Sequence, residues 1–308
     1  MGRILVIRGG AIGDFVLTLP VLAALKFAFP RASVEVLGYP ATARIAVAGG
    51  LAHATHAIEA RPLACFFARN GELDGRMAAF FQQFSVIVSF LYDPDLIFQE
   101  NVAQCSTAQF IVGPHRPDEK GQRHAVESFL EPLSRLAIFD ADPTPRLDID
   151  PVSPGPGRWL ATHPGSGSES KNWPERRWAE LLRRTLENPG WNIFLVGGEA
   201  EGDRLERLAN GLPRDRVRLA KQLPLDALAA LLRGCGQFIG HDSGITHLAA
   251  AVGLPCLVLW GPSNQHIWRP RGHPVLMVRD DCGLPGLPCD TVWEILRRQL
   301  SSPSPHET

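Results

Sequence analysis

Three short stretches of this chain combine glycines, small hydroxyl residues and one or two charged side chains, a mixture suited to phosphate binding or to an acid–base step. The first is Arg8-Gly9-Gly10-Ala11-Ile12-Gly13-Asp14. Gly10 and Gly13 allow close backbone approach, and a helix starting behind them presents free N–H groups and a positive dipole end. Asp14 suits two roles that the local pattern leaves equally open, an N-cap for that helix or a carboxylate that takes a proton from a substrate. The spacing is GGxxG rather than GxGxxG, and the second strand ends at Leu37-Gly38 without an acidic residue for a ribose. Pattern alone therefore gives little support to a dehydrogenase.

The second stretch follows Thr162-His163 and runs from Pro164 to Pro174 as PGSGSESKNWP. Ser166 and Gly167 supply donors with little bulk and Lys171 a compact positive charge, which suits a phosphate, although GxxxxGK[ST] is absent. A plain surface loop ending at Pro174 explains the same residues, and the local pattern leans that way. The third stretch, Phe238 to Ala251, reads FIGHDSGITHLAAA. Asp242 ends a strand, the amides near Ser243 and Gly244 open a small-residue helix toward an anion, and His247 lies one turn in. His247 serves equally well as a ligand contact or as a buried histidine bonded to backbone. Gly197-Gly198-Glu199 and the loop Gly261 to His266 follow strands as well and are weaker candidates.

These loops need a scaffold that ends strands beside one another. Apolar runs at Ile4–Ile7, Val34–Leu37, Val86–Phe90 and Phe110–Val112 read as strands, with helical patterns over Phe15–Phe29 and His124–Leu136. From Asp140 to Gly157 repeated prolines and glycines stop both kinds of element. Beyond this linker the alternation restarts, with strands at Trp159–His163, Ile193–Val196, Phe238–Ile239 and Cys256–Trp260. Helical patterns cover Trp178–Leu186, Glu201–Asn210, Leu225–Leu232 and Ile245–Val252, and Thr291–Leu300 forms a last helix free to pack on either half. Two runs of βα units joined by a hinge predict an α/β protein of two doubly wound Rossmann-like domains, 1–150 and 151–308, facing a central cleft.

Bulk properties narrow the partners. The 308 residues are 45% hydrophobic and 20% charged with a net charge of −1, which offers a nucleic acid no global attraction. Six cysteines without a CxxC pair read as reduced thiols of a cytosolic protein, and six residues between Cys282 and Cys289 is poor spacing for zinc. Ile4–Ile7 is too short for a secretion signal, and no apolar run approaches the roughly 18 residues that span a bilayer. The expected location is the cytoplasm, with at most a membrane-surface contact.

Taken together, GGAIGD, HPGSGSESKNWP and HDSGITHLAAAVGLPCLVLWGPS resemble the heptosyltransferase family, glycosyltransferase family 9, over nearly the whole chain. The resemblance implies a GT-B fold, with acceptor bound mainly by the first domain and ADP-sugar mainly by the second. It implies inverting transfer, most simply of heptose from ADP-heptose to a lipopolysaccharide-core or related glycan, with no cofactor and no essential metal. The acceptor would be a glycolipid or oligosaccharide met at the cytoplasmic face of the inner membrane. In that family the base falls on Asp14 and the phosphate-contacting lysine on Lys171, behind Ser166 and Gly167. The D[ST]GxxH motif, which contacts sugar and phosphates, falls on Asp242, Ser243, Gly244 and His247, while Gly10 and Gly13 shape the acceptor-side loop.

Two departures accompany the likeness. Arg218 aligns where family members offer an acidic ribose contact, and the first half lacks a basic cluster for the phosphates and carboxylates of a lipopolysaccharide core. A non-hydrolysing nucleotide-sugar epimerase and a non-catalytic nucleotide-sugar-binding protein are the alternatives on the same architecture. Retention of Asp14 and Lys171 argues against the second.

Overall fold

Runs rich in valine, isoleucine and leucine, buried on both faces, become the strands of two parallel sheets. The computed structural model describes residues 2–69, 71–167, 171–272 and 274–301. They divide into two units, Met1–Leu147 and Asp148–Thr308, with the division inside the proline-bearing stretch.

The first unit runs β1 (Arg3–Arg8), α1 (Ile12–Val16), α2 (Leu19–Ala28), β2 (Ser33–Gly38), α3 (Pro40–Ala48) and β3 (Ala54–Ala57). It continues through α4 (Gly75–Phe81), β4 (Val86–Ser89), α5 (Ile97–Ala103), β5 (Gln109–Val112) and α6 (Ala125–Leu130). The strand order is β3-β2-β1-β4-β5, every pairing parallel. Chain direction across the sheet reverses between β1 and β4, and the carboxyl ends of those strands are where such folds bind ligands.

In the second unit β6 (Arg158–His163), α7 (Glu175–Leu186), β7 (Trp191–Gly197), α8 (Arg204–Ala209), β8 (Val217–Lys221) and α9 (Leu225–Arg233) come first. Then follow β9 (Gln237–His241), α10 (Gly244–Ala251), β10 (Cys256–Leu259), α11 (Gln265–Trp268), β11 (Val275–Val278) and α12 (Cys289–Leu300). This sheet is also parallel, in the order β11-β10-β9-β6-β7-β8, so its switch point lies between β6 and β9.

Proline corrects two of the expected helices. Phe15–Phe29 is not one helix: α1 stops at Val16 and α2 starts at Leu19, with Pro20 in its first turn. A proline there needs no N–H partner, whereas inside a continuous helix its ring would clash with the carbonyl four residues back. Pro132 likewise divides His124–Leu136 into α6 and a 3-10 turn, Glu131–Leu136.

The closing helix, which the sequence left free to pack on the first half, sits in the second unit. Val292, Leu296 and Leu300, one face of α12, are buried with Leu181 and Leu182 of α7 and with Trp191. Burying each such leucine is worth about 1.5–3 kcal/mol, and this fixes the helix. No helix among the described residues is long and apolar enough to cross a membrane.

Candidate functional site

The sequence-predicted residues form two constellations, one on each unit, and each stands at the carboxyl end of its sheet. In the first, β1 delivers Arg8 into the glycine turn. Gly10 has φ +97°, and a Cβ there would lie 2.9 Å from Asp14 Oδ2, so both the turn and the carboxylate need glycine. Gly13 is an ordinary residue of α1 whose carbonyl accepts from Leu17 N. Asp14 is not the N-cap that the sequence offered: Ala11 holds that place, and Asp14, one turn into the helix, reaches back to accept from Ala11 N at 3.2 Å. The carboxylate still keeps 20% of its side-chain surface exposed.

Arg8 is the functional neighbour that sequence reasoning missed. Its side chain is 2% exposed, lies 3.8 Å through Nη2 from Asp14 Oδ1, and donates through Nη1 to the His115 carbonyl at 2.9 Å. The guanidinium is stacked 4.4 Å from the Phe129 ring centroid. Burial lowers its pKa to about 10 against the opposing pull of Asp14, which leaves it a cation at neutral pH. The only signal in the sequence was a charged residue ending an apolar strand before a glycine turn.

In the second unit the loops after β6 and β9 meet at the switch point. Lys171 Nζ lies 2.8 Å from Asp242 Oδ2, with side chains 32% and 9% exposed, so the cation and carboxylate expected to act separately are paired with each other. Ser166 Oγ donates to Asn172 Oδ1 at 2.8 Å, and Gly167 takes φ +72° beside open space. Ser168, Glu169 and Ser170 lie outside the described residues. Ser243 caps α10 by accepting from Thr246 N, Gly244 is the first residue of that helix, and His247 is buried within it.

Two histidines organise these loops. Trp173 N donates to His241 Nε2 at 2.8 Å, so Nδ1 carries the proton and donates to the Gly165 carbonyl at 3.2 Å. One neutral ring thereby fastens both ends of the loop that holds Ser166 and Lys171. Burial drives the His241 pKa down to about 3 and keeps the ring neutral. His163 Nδ1 contacts Ser243 Oγ at 3.1 Å, while its Nε2 lies 3.6 Å from Glu201 Oε1. That imidazole, with the Gly198 N–H, holds the Glu201 carboxyl down to about 2 despite burial. A Cβ on Gly165 would fall 1.9 Å from Glu201 Oε1, so a larger residue there would push that carboxylate away from His163.

Arg218 lies in β8, the edge strand of the second sheet. It is exposed within β8 opposite Phe194, whereas the buried acid just beyond β7 is Glu201. Cys282 is an exposed and Cys289 a buried free thiol, the latter raised to about 11 chiefly by burial. No group of three or more His, Cys, Asp or Glu placed to hold a metal ion occurs among the described residues.

The family model of glycosyltransferase family 9 (heptosyltransferase) matches residues 118–285, more than half of the chain. Lipopolysaccharide heptosyltransferase 1 of Pseudomonas aeruginosa is 35% identical over 143 residues, covering 46% of this chain but only 38% of that protein. Lipopolysaccharide heptosyltransferase 3 of Escherichia coli is 26% identical over 291 residues, 84% of this chain and 83% of that one. The structure of E. coli heptosyltransferase WaaC with ADP superposes with a TM-score of 0.74 at 20% identity, over 96% of this chain and 99% of the other, a likeness of fold. The chain therefore belongs to glycosyltransferase family 9, the heptosyltransferase family.

Proposed function

We propose that this chain is an inverting glycosyltransferase that moves heptose from ADP-heptose onto a lipopolysaccharide-core or related cell-envelope glycan. The observation that carries the reading is the second-unit switch point, where the Lys171–Asp242 pair and the amino end of α10 stand together at a place a diphosphate could take over. ADP and heptose come from the relatives, one solved with ADP and others named heptosyltransferases.

In this mechanism the acceptor hydroxyl attacks the anomeric carbon as the bond to the diphosphate breaks, and its proton passes to Asp14. Arg8 holds Asp14 in place. Electrons leave on the diphosphate, whose growing charge is met by Lys171 and the amides at Ser243 and Gly244 with Ser166 and Gly167 alongside, so neither a cofactor nor a metal is called for. As the diphosphate takes over Lys171, Asp242 is released to a sugar hydroxyl, and His247 supports the same helix. Glu201, the acid after the unit's second strand, is the group for a ribose hydroxyl. A glycolipid acceptor would bring the chain from the cytoplasm to the inner face of the inner membrane as a peripheral protein.

The test is mass spectrometry of ADP-heptose incubated with lipopolysaccharide core oligosaccharide. One heptose should be added, and Asp14→Asn should slow turnover by about 10²- to 10⁴-fold while calorimetric ADP affinity is retained. Full turnover by Asp14→Asn removes the base assignment, and epimerised donor without acceptor replaces transfer with epimerisation.

A further inference from the structure

The chain contains only two tyrosines, Tyr39 and Tyr92. Tyr39 directly follows β2 and Tyr92 comes three residues after β4, and these are the two strands that flank β1 in the sheet. Both rings therefore stand at the carboxyl edge, on either side of the strand that leads to Asp14. Both are exposed, Tyr39 by 44% and Tyr92 by 69%, and neither hydroxyl is hydrogen-bonded among the described residues. The Tyr39 ring reaches the turn itself, since a Cβ on Gly9 would meet its Cε2 at 3.9 Å.

Tyr92 is not loose on the surface. Its ring centroid lies 4.6 Å from that of His115, at an interplanar angle of 57°. His115 is tied down in turn, because its carbonyl accepts from the buried Arg8, whose other nitrogen approaches Asp14. Gly113 permits this fold of the β5 loop, since a Cβ there would strike the Phe90 ring at 2.4 Å. One guanidinium thus anchors both the candidate base and an exposed aromatic pair.

A tyrosine offers an apolar face with a polar tip and only two side-chain torsions to immobilise, which suits it to a ring whose C–H face and hydroxyls must both be met. We propose that Tyr92 tilted against His115, with Tyr39 across the turn, forms the platform that takes a pyranose ring of the acceptor and presents its hydroxyl to Asp14. This rests on the transferase reading above. Tyr92, Tyr39 and His115 are positioning and specificity residues in this scheme, with no part in proton transfer.

The experiment is calorimetry of the full chain with two probes in separate arms, ADP and the oligosaccharide released from lipopolysaccharide by mild acid. Tyr92→Ala should weaken oligosaccharide binding by about tenfold, equivalent to ~1.4 kcal/mol. Tyr92→Phe, which keeps the ring, should stay within about threefold of the unsubstituted chain, and ADP affinity should be unchanged in every variant. His115→Ala should fall between the two. Oligosaccharide binding unchanged in Tyr92→Ala and Tyr39→Ala overturns the platform and leaves the transferase reading standing, as does an unsubstituted chain that binds ADP but no oligosaccharide. Failure of the unsubstituted chain to bind ADP overturns the donor reading instead, and the oligosaccharide arm still decides the platform.

Discussion

Asp14 and Lys171 differ in where their partners come from, Asp14 meeting Ala11 and Arg8 within its own loop and Lys171 meeting Asp242 across the fold. Asp14 is not the N-cap, which is Ala11, but its carboxylate still ties the helix start by accepting from Ala11 N while staying partly exposed beside Arg8. A phosphate contact was one of two roles the sequence left open for Lys171, and its pairing with Asp242, 71 residues on, left no local signal. The pair keeps a desolvated carboxylate neutralised until a stronger anion arrives. Lys171→Ala should therefore weaken ADP by about tenfold or more in calorimetry, because the diphosphate loses a charge-assisted contact while Asp242 remains as an unpaired negative neighbour. Unchanged ADP affinity would take Lys171 out of the donor site. Glu201, His163 and His241 went unassigned because each takes its meaning from a contact across the fold, none of which leaves a local pattern.

Among the elements, the strands bearing the three motifs were legible because they are continuous apolar runs ending in glycine or polar turns. β3, β8 and β11 were not: all three are short edge strands, β3 and β8 are mixed with polar residues, β8 carrying exposed Arg218 and Lys221, and β11 is only four residues long. The linker is bound to its neighbours more closely than its composition suggests. Val152 N donates to the Ala230 carbonyl at 2.9 Å, and a Cβ on Gly234 would lie 2.2 Å from the Val152 carbonyl oxygen. Backbone cannot yield there as a flexible side chain could. Gly234→Ala should cost about 1–3 kcal/mol, read as a lower Tm and a lower denaturant midpoint. An unshifted midpoint would show that the linker moves freely at that contact.

At the level of the whole molecule, two buried groups make stability depend on acid. The folded pKa of His241 is about 3, below its ordinary 6.5, so from pH 6.5 downward the unfolded chain gains a proton that the native chain refuses. Glu201, about 2 when folded against 4.5, adds the same tendency from about pH 4.5 downward. Both contributions are complete above the unfolded pKa and are lost as pH falls toward the folded one. Chemical denaturation should show stability declining by up to ~1.4 kcal/mol per pH unit for each group in its window. His241→Gln, whose amide can meet Trp173 N and Gly165 O without titrating, should flatten the curve between pH 6.5 and 4.5. Equal slopes in the two chains would remove His241 as the cause.

The sequence by itself determined the parallel α/β architecture, the linker region, three strand-end loops and the family likeness, because apolar runs, prolines and glycines act over a few residues. Only the tertiary structure decided which charged groups meet. Ion pairs, buried tautomers and ring contacts depend on which strands lie side by side, and the switch points beside β1 and β6 bring the His115 carbonyl to Arg8, Lys171 to Asp242 and His241 to both ends of the Ser166 loop.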